Sequence, residues 1–246
     1  MSDLVITTLA ERPGYMDHLY EIEDAWPQFM LQDPVGNALF HQAAVTFPDY
    51  NIVATVDDRL VARGRAIPFR FPTEDRTELP ASGWDRVMIW GMGDHRRGET
   101  PTAASALEIA IAKDHLGEGL SYVMLDAMRD AVRKQGLNTL YAPVRPNGKQ
   151  HPKLPMATYI EQVRDDGLPV DPWLRVHVKA GAEIVNVAPT SMVVPGSLAE
   201  WREWTGLPFD QPGDVYVPGA LTPVHCYPEH DQAVYVEPNV WVRHDL

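Results

Sequence analysis

Hydrophobic spacing changes period between Ser105 and Gly136. Leu107, Ile109 and Ile111 alternate with Ala106, Glu108, Ala110 and Ala112, the two-residue period of a half-buried strand. From Leu120 the period becomes helical. Leu120, Val123, Met124, Ala127, Met128 and Ala131 fall on one face, with Asp126, Arg129, Asp130, Arg133 and Lys134 on the other, and Gly136 stands where a C-cap belongs. Between the two lies a turn in which Gly117 and Gly119 bracket Glu118. The first N–H groups of a helix have no partner inside it, and glycine lets an anion approach them closely. A strand–Gly–helix junction is also an ordinary connection in α/β proteins, so the spacing alone leaves both readings open.

The same patterning extends along the chain. Leu4 to Thr8 predicts a strand. Arg12 to Leu31 predicts a helix, with Tyr15, Leu19, Ile22 and Ala25 at helical spacing and Pro27 to end or kink it. Pro34 to Phe47 predicts a second helix. Asn51–Val56 and Leu60–Phe71, separated by Asp57-Asp58-Arg59, read as a hairpin. An excursion from Pro72 to Gly83 leads to a predicted strand at Arg86–Trp90 and a charged loop from Gly91 to Thr102. Thr139–Val144 is a strand that enters the turn Arg145-Pro146-Asn147-Gly148. Helices are predicted at Met156–Arg164 and at Trp173–Ala180, the latter ended by Gly181. Glu183–Val194 is a strand, and Ser197–Gly206 a helix whose Ser197 and Glu200 form a capping box. Asp214 to Arg243 alternates enough for two or three strands. This order gives an α/β (α+β) mixed sheet flanked by helices. With no internal repeat or low-complexity linker, one domain spanning 1–246 is expected, with an insertion near 148–172 and a strand-rich C-terminal extension.

Composition narrows the picture. A chain of 246 residues with 45% hydrophobic residues, seven Trp and 22% charged residues suits an ordered globular protein. No apolar run approaches the roughly 20 residues needed to cross a membrane. The opening segment lacks the basic lead and apolar core of a signal peptide, and Cys226 has no second cysteine to pair with, so a reducing, cytoplasmic setting is expected. A formal net charge of −13 argues against a broad nucleic-acid surface. Local basic groups are Arg96–Arg97 and Arg145 with Lys149 and Lys153.

The strand–GxG–helix stretch resembles the acyl-CoA-binding core of the GNAT superfamily of N-acetyltransferases. The signature there is Arg or Gln, two residues, Gly, one residue, then Gly or Ala; Gly117 and Gly119 match it, while Asp114 occupies the Arg/Gln position. The resemblance implies a sheet with a V-shaped split between two central parallel strands, in which an acyl thioester lies. It further implies that the strand carrying Ile109 and Ile111 offers backbone groups to the pantetheine, and that Gly117, Glu118 and Gly119 cradle phosphate. The family's acceptor-side helix resembles N-x-x-A-x-x-x-Tyr-x-x-x-Gly-Phe. VDPWLRVHVKAGA, anchored on Gly181, places His177 at the tyrosine position and Ala182 at the phenylalanine position. A histidine there can act as an acid on the departing thiolate or as a base. The alternative is a helical histidine packed near the sheet and satisfied by one hydrogen bond.

A second resemblance covers Pro143 to His244. PVRPNGKQHPKLP, DGLPVDPWLRVHVKAGAEIV, AEWREWTG and YVEPNVWVRH, together with WPQFMLQDP and SGWDRV, resemble the GNAT-like domains that load starter units in some polyketide synthases. Those domains imply malonyl-CoA decarboxylation or acetyl transfer to a carrier protein, with a threonine and the helical histidine as catalytic pair. His177 matches the histidine; Asn147 stands at the threonine position. Its amide can orient a carbonyl or hold an enolate-like oxygen, or Asn147 is simply a turn residue before Gly148. The family's wall-forming tryptophan corresponds to Trp26, and Trp173, at the head of WLRVH, is placed with it at the substrate. The run Trp26-Pro27-Gln28-Phe29-Met30 is otherwise a core plug.

The expected protein is therefore an acyltransferase of specialised-metabolite biosynthesis. Its donor would be acyl-CoA (acetyl-CoA or malonyl-CoA) or a carrier-bound thioester, and its acceptor a small-molecule amine or an acyl carrier protein. Alternatives are an aminoacyl-tRNA-dependent transferase, a malonyl-CoA decarboxylase-like enzyme, and a non-catalytic CoA- or carrier-binding module. His225, Cys226, His230 and Asp231 are metal-ligand types, but their spacing matches no common zinc pattern, so no metal is expected. Cys226 has no adjacent cation or helix start to activate it. His95-Arg96-Arg97 reads as a solvated loop whose cations could meet a phosphate.

Overall fold

The computed structural model describes residues 4–22 and 26–246. A sheet of nine strands is ordered β1-β2-β3-β4-β5-β9-β8-β7, with β6 also paired to β9. The strands are β1 (Val5–Thr8), β2 (Asn51–Val56), β3 (Arg59–Phe69), β4 (Ala103–Ile111), β5 (Thr139–Val144), β6 (Glu183–Gly196), β7 (Gly213–Val215), β8 (Val224–Tyr227) and β9 (Gln232–Asp245). Only the β4–β5 pair is parallel; every other ladder is antiparallel. The hairpin between β2 and β3 turns at Asp57 and Asp58, both with positive φ, the geometry that matches the right-handed twist of the strands it joins.

Helices cover both faces. On one face α3 (Leu120–Lys134), α4 (Met156–Ile160) and α5 (Pro172–Lys179) bury Leu120, Met128, Tyr159 and Leu174 against Ala104, Leu140 and Val242. On the other, α1 (Pro34–Thr46), α2 (Gly83–Arg96) and α6 (Leu198–Thr205) enclose a core containing Phe69, Trp84, Met88, Trp201 and Trp241. The capping box at Ser197 and Glu200 is present at the start of α6.

Several expectations are corrected. Arg12–Leu31 does not form a helix: short 3-10 turns occupy Pro13–Met16 and Gln28–Gln32, each entered through a proline. Ala25, the last position of the helical spacing, lies outside the described residues. Arg86–Trp90 is not a strand but the middle of α2, which also takes in Gly91 to Arg96 from the expected loop. Its buried Trp84, Val87, Met88, Gly91 and Met92 follow a helical period, and Gly91 lets the helix press on β3, since a Cβ there would meet the Ile67 side chain at 2.6 Å. Arg96 and Arg97 close that helix, where cations suit the dipole, and Arg97 is paired to the buried Asp94. On α3 the buried stripe takes Leu125 and Val132 and leaves Val123 exposed. β4 is buried on both faces from Ala103 to Glu108, as befits a central strand.

Candidate active site

β4 and β5 pair at only two positions, Ala104 with Leu140 and Ser105 with Tyr141. Beyond them β4 stays with β3 and β5 stays with β9, so the two parallel strands diverge. Pro143, which has no N–H to offer a neighbour, lies just past the point of separation. Leu107 has no partner in the β3–β4 register, which runs Arg65 with Glu108 and then Ala66 with Ala106. This bulge re-aims β4 at the split, and the Leu107 carbonyl accepts a bond from Trp84 Nε1 at 3.0 Å.

A cavity of about 230 Å³ occupies the split. Ala106, Leu107, Glu108 and Ile109 form one wall, and Ala142, Pro143 and Val144 the other. Trp173 and His177 of α5 close it from one face of the sheet; Trp26 and Trp84 close it from the opposite face. Asn147, exposed in the turn after β5, also lines it. A second chamber of about 320 Å³ shares Trp26, Trp84, Leu107 and Glu108 with the first and extends toward α1.

Five of the sequence-predicted residues, Trp26, Ile109, Asn147, Trp173 and His177, thus meet around one cavity. Ile111 does not line it; it is half-buried against the α3-side core. Gly117, Glu118 and Gly119 also lie off the cavity, in the turn that enters α3. Both glycines have left-handed φ (84° and 79°), no neighbour within 4 Å of the missing Cβ, and no side chain caps the helix behind them. That turn is therefore unobstructed among the described residues. Glu118 is held by His115 at 3.0 Å, and Asp114 faces Arg59 at 3.9 Å.

His177 is buried, and its Nδ1 lies 2.9 Å from His244 Nε2 at the end of β9. Burial, followed by the neighbouring His244, depresses the His177 pKa to about 3; burial and Arg129 depress His244 to about 4. Both rings are neutral at pH 7 and one proton lies between them. If His177 supplied it, the proton of His244 itself would sit on Nδ1, which is buried without a partner among the described residues. An orphaned buried N–H is rarer than an orphaned acceptor. His244 is therefore the donor, and His177 carries its proton on Nε2.

Sequence reasoning missed several wall residues. Glu108 is buried, with both oxygens on Arg63 of β3 (2.8 and 2.9 Å) and Arg65 at 3.5 Å. Arg145 donates to Glu237 (2.9 Å) and to the Gly219 carbonyl (2.5 Å), and its guanidinium lies 5.8 Å from the Trp26 ring centre. The C-terminal strands thereby fix an N-terminal wall. His225 and Cys226 alternate across β8: His225 is exposed and pairs with Asp214 at 2.9 Å, while Cys226 is buried and burial raises its thiol pKa. They point to opposite faces and do not converge.

No protein-family model matches the sequence. The arginine N-acetyltransferase avaD of Aspergillus versicolor is 30% identical over 274 aligned positions, covering 98% of this chain and 93% of that protein. Two solved structures share the fold at lower identity. The loading GNATL domain of CurA from Lyngbya majuscula superposes with a TM-score of 0.61 at 17% identity, covering 100% of this chain and 98% of that one. The GphF GNAT-like decarboxylase in complex with isobutyryl-CoA gives 0.57 at 16% identity, covering 99% and 98%. Among the described residues no helix is long and apolar enough to cross a membrane. The split sheet and the full-length likeness to an N-acetyltransferase place this chain in the GNAT superfamily, as an acyltransferase of that type.

Proposed function

We propose that this enzyme transfers an acetyl or other short acyl group from acyl-CoA to the amine of a small basic molecule, with arginine-like compounds as the first candidates. The observation that carries the reading is the cavity in the β4–β5 split. It passes through the sheet, with His177 and Trp173 on one side and Trp26 and Trp84 on the other, where it meets a second chamber. The likeness to avaD supports an amine acceptor of basic character, and the isobutyryl-CoA complex of GphF supports a CoA donor.

In this reading the thioester lies in the split, where the edge of β4 beyond Ser105 has no β5 partner. The pantetheine would follow β4 toward its end, and the phosphates would meet the uncapped start of α3 at Gly117 and Gly119. The acceptor amine attacks the thioester carbon, the C–S bond breaks, and the departing thiolate takes up a proton equivalent to the one the amine loses. His177 serves as a neutral donor: its Nε2–H stabilises charge developing on the carbonyl oxygen or on sulfur, without needing to become imidazolium. Asn147 supplies an amide N–H at the same cavity. Holding donor and acceptor on opposite sides of one gap supplies proximity.

The test is release of free CoA thiol from acetyl-CoA with arginine, agmatine and lysine as acceptors, with the acetylated product identified by mass spectrometry. Malonyl-CoA without an acceptor is the second arm. CO2 release there, with no amide from any amine, would replace acyl transfer by decarboxylation. Salt-dependent binding of aminoacyl-tRNA would instead favour a different donor.

A further inference from the structure

The second chamber has a floor that the acyl-transfer reading does not use. Asp33, 2% exposed, lines it. One carboxylate oxygen caps α1 by accepting from Gly36 N at 2.6 Å; the other, Oδ1, is buried with no hydrogen-bond partner among the described residues. Behind it Asp85 has a likewise unpartnered Oδ1, and Glu237 is fully buried. The cations of this region lie against other groups than Asp33 and Asp85. Arg145 is bonded to Glu237 and Gly219, and Arg63 holds both oxygens of Glu108; Arg65 lies 3.5 Å from Glu108 and over the Phe40 and Tyr20 rings, its guanidinium nitrogens without a hydrogen-bond partner among the described residues. Among the described residues no Lys or Arg pairs with Asp33 or Asp85.

Capping accounts for one oxygen of Asp33 and leaves the other, Oδ1, buried at the chamber wall with no Lys or Arg paired to it among the described residues. A buried carboxylate is costly to ionise unless a cation or donors meet it. Burial raises the Asp33 pKa to about 6 against the backbone amides of Gly36, Val35 and Val193, so at neutral pH it is mostly an anion with no cation paired to it among the described residues. The rings of Tyr20, Trp26, Phe40 and Trp84 line the same space; aromatic faces attract cations, and Arg65 already lies over Tyr20 and Phe40 and Arg145 over Trp26.

We propose that this chamber recognises the acceptor by a second, non-reacting cation, a guanidinium or ammonium, held against Asp33 among these rings. The proposal rests on the acyl-transfer reading for its choice of occupant. It goes further in assigning the specificity-determining contact: Asp33 selects acceptors that carry a positive charge away from the amine that reacts.

The test compares L-arginine with L-citrulline, which replaces the guanidinium by a neutral urea of nearly the same shape. Calorimetry on the wild type should show arginine binding at least about tenfold more tightly than citrulline. Asp33→Asn keeps an N-cap acceptor for Gly36 while removing the charge. It should weaken arginine binding by roughly 10–100-fold, leave citrulline unchanged and abolish the preference. The wild-type comparison stands even where the variant folds poorly. Equal wild-type affinities, no arginine binding, or a folded variant that retains the preference would each overturn the proposal. Arginine preference without acetylation would overturn the acyl-transfer reading and leave the cation site intact. Acetylation of charged and neutral acceptors with equal kcat/KM would do the reverse.

Discussion

Two buried titratable pairs flank the split in the sheet, and burial treats them in opposite ways. On the α5 face, His177 and His244 share one proton, and burial keeps both rings neutral, with pKa values of about 3 and 4. On the α1–α2 face, Asp33 and Asp85 leave oxygens unpartnered among the described residues, and burial raises them to about 6 and about 8. A neutral pair that satisfies itself needs nothing from a ligand and can hold a fixed geometry through a reaction. Two buried acids that no Lys or Arg among the described residues pairs with, one ionised and one still protonated at neutral pH, leave a charge that the proposed cation would answer. In the proposed reading, the difference separates a group that acts on the reacting atoms from one that selects the molecule carrying them.

The largest effect is expected at His177. His177→Ala should lower kcat by roughly 10²–10³-fold, the usual loss for one donor aimed at developing charge. The KM for acyl-CoA should change little, since charge develops mainly in the transition state. Because the ring is neutral down to about pH 3, the wild-type rate should show no inflection from this residue near pH 6.5. Full activity with a lowered melting temperature would reduce His177 to a packing residue and remove the contrast between the two pairs.

That contrast was only half visible in the sequence. β4 and α3 were legible because period two gives way to period 3.6 over a long stretch, and His177 was singled out through the family resemblance anchored on Gly181. Its partner was not, although His244 ends the quoted YVEPNVWVRH segment. The pair is separated by 67 residues, and only the docking of α5 beside β9 brings the rings together. Glu108 was read as the polar side of a half-buried strand; it is buried because Arg63 and Arg65 stand on the neighbouring β3, a cross-strand match set by register. The apolar run Val87–Trp90 fits a strand or a buried helix equally, so α2 was misread, and with it the position of Trp84. Segment 12–31 failed because its helical spacing competes with Pro13, Gly14 and Pro27, and short 3-10 turns result. Asp33 was not singled out in the sequence; it caps the helix that begins at Pro34, and the cap uses only one of its oxygens.

A smaller effect is expected at His244, a positioning residue. His244→Phe removes the bond that fixes the His177 ring and its tautomer, and should lower kcat by about tenfold. His244→Gln can still donate from its amide to His177 Nδ1 and should retain most of the rate. A packing role alone predicts the reverse ranking, because phenylalanine fills the buried space better than an amide. The pH profile gives a second readout. His244 is one of the groups that depress His177, so its removal should move any His177 inflection upward toward 6.5.

The smallest expected effect lies in the pH dependence of stability, where the two pairs pull in opposite directions. The unfolded chain protonates its histidines at about 6.5, whereas the folded rings resist protonation to about 3 and 4. Below about pH 6.5 the unfolded state therefore binds more protons, and the stability that the histidine pair contributes at neutral pH is lost as pH falls. Asp85 behaves inversely: unfolded, it ionises at about 3.8, but folded, it keeps its proton to about 8 because of burial and then the charge of Asp33. The folded state binds more protons across that window, so this residue costs stability progressively as pH rises from about 4 to about 8. Asp85→Asn removes that slope. Its melting temperature should exceed that of the wild type by roughly 2–6 °C at about pH 8.5, corresponding to about 1–2 kcal/mol, with a smaller gap at about pH 5.5. Arginine should raise the wild-type melting temperature most at the higher pH, where the carboxylates are ionised. An Asp85→Asn gain that was the same at both pH values would mean that the carboxyl is not held protonated by the fold, and the two pairs would no longer be opposites.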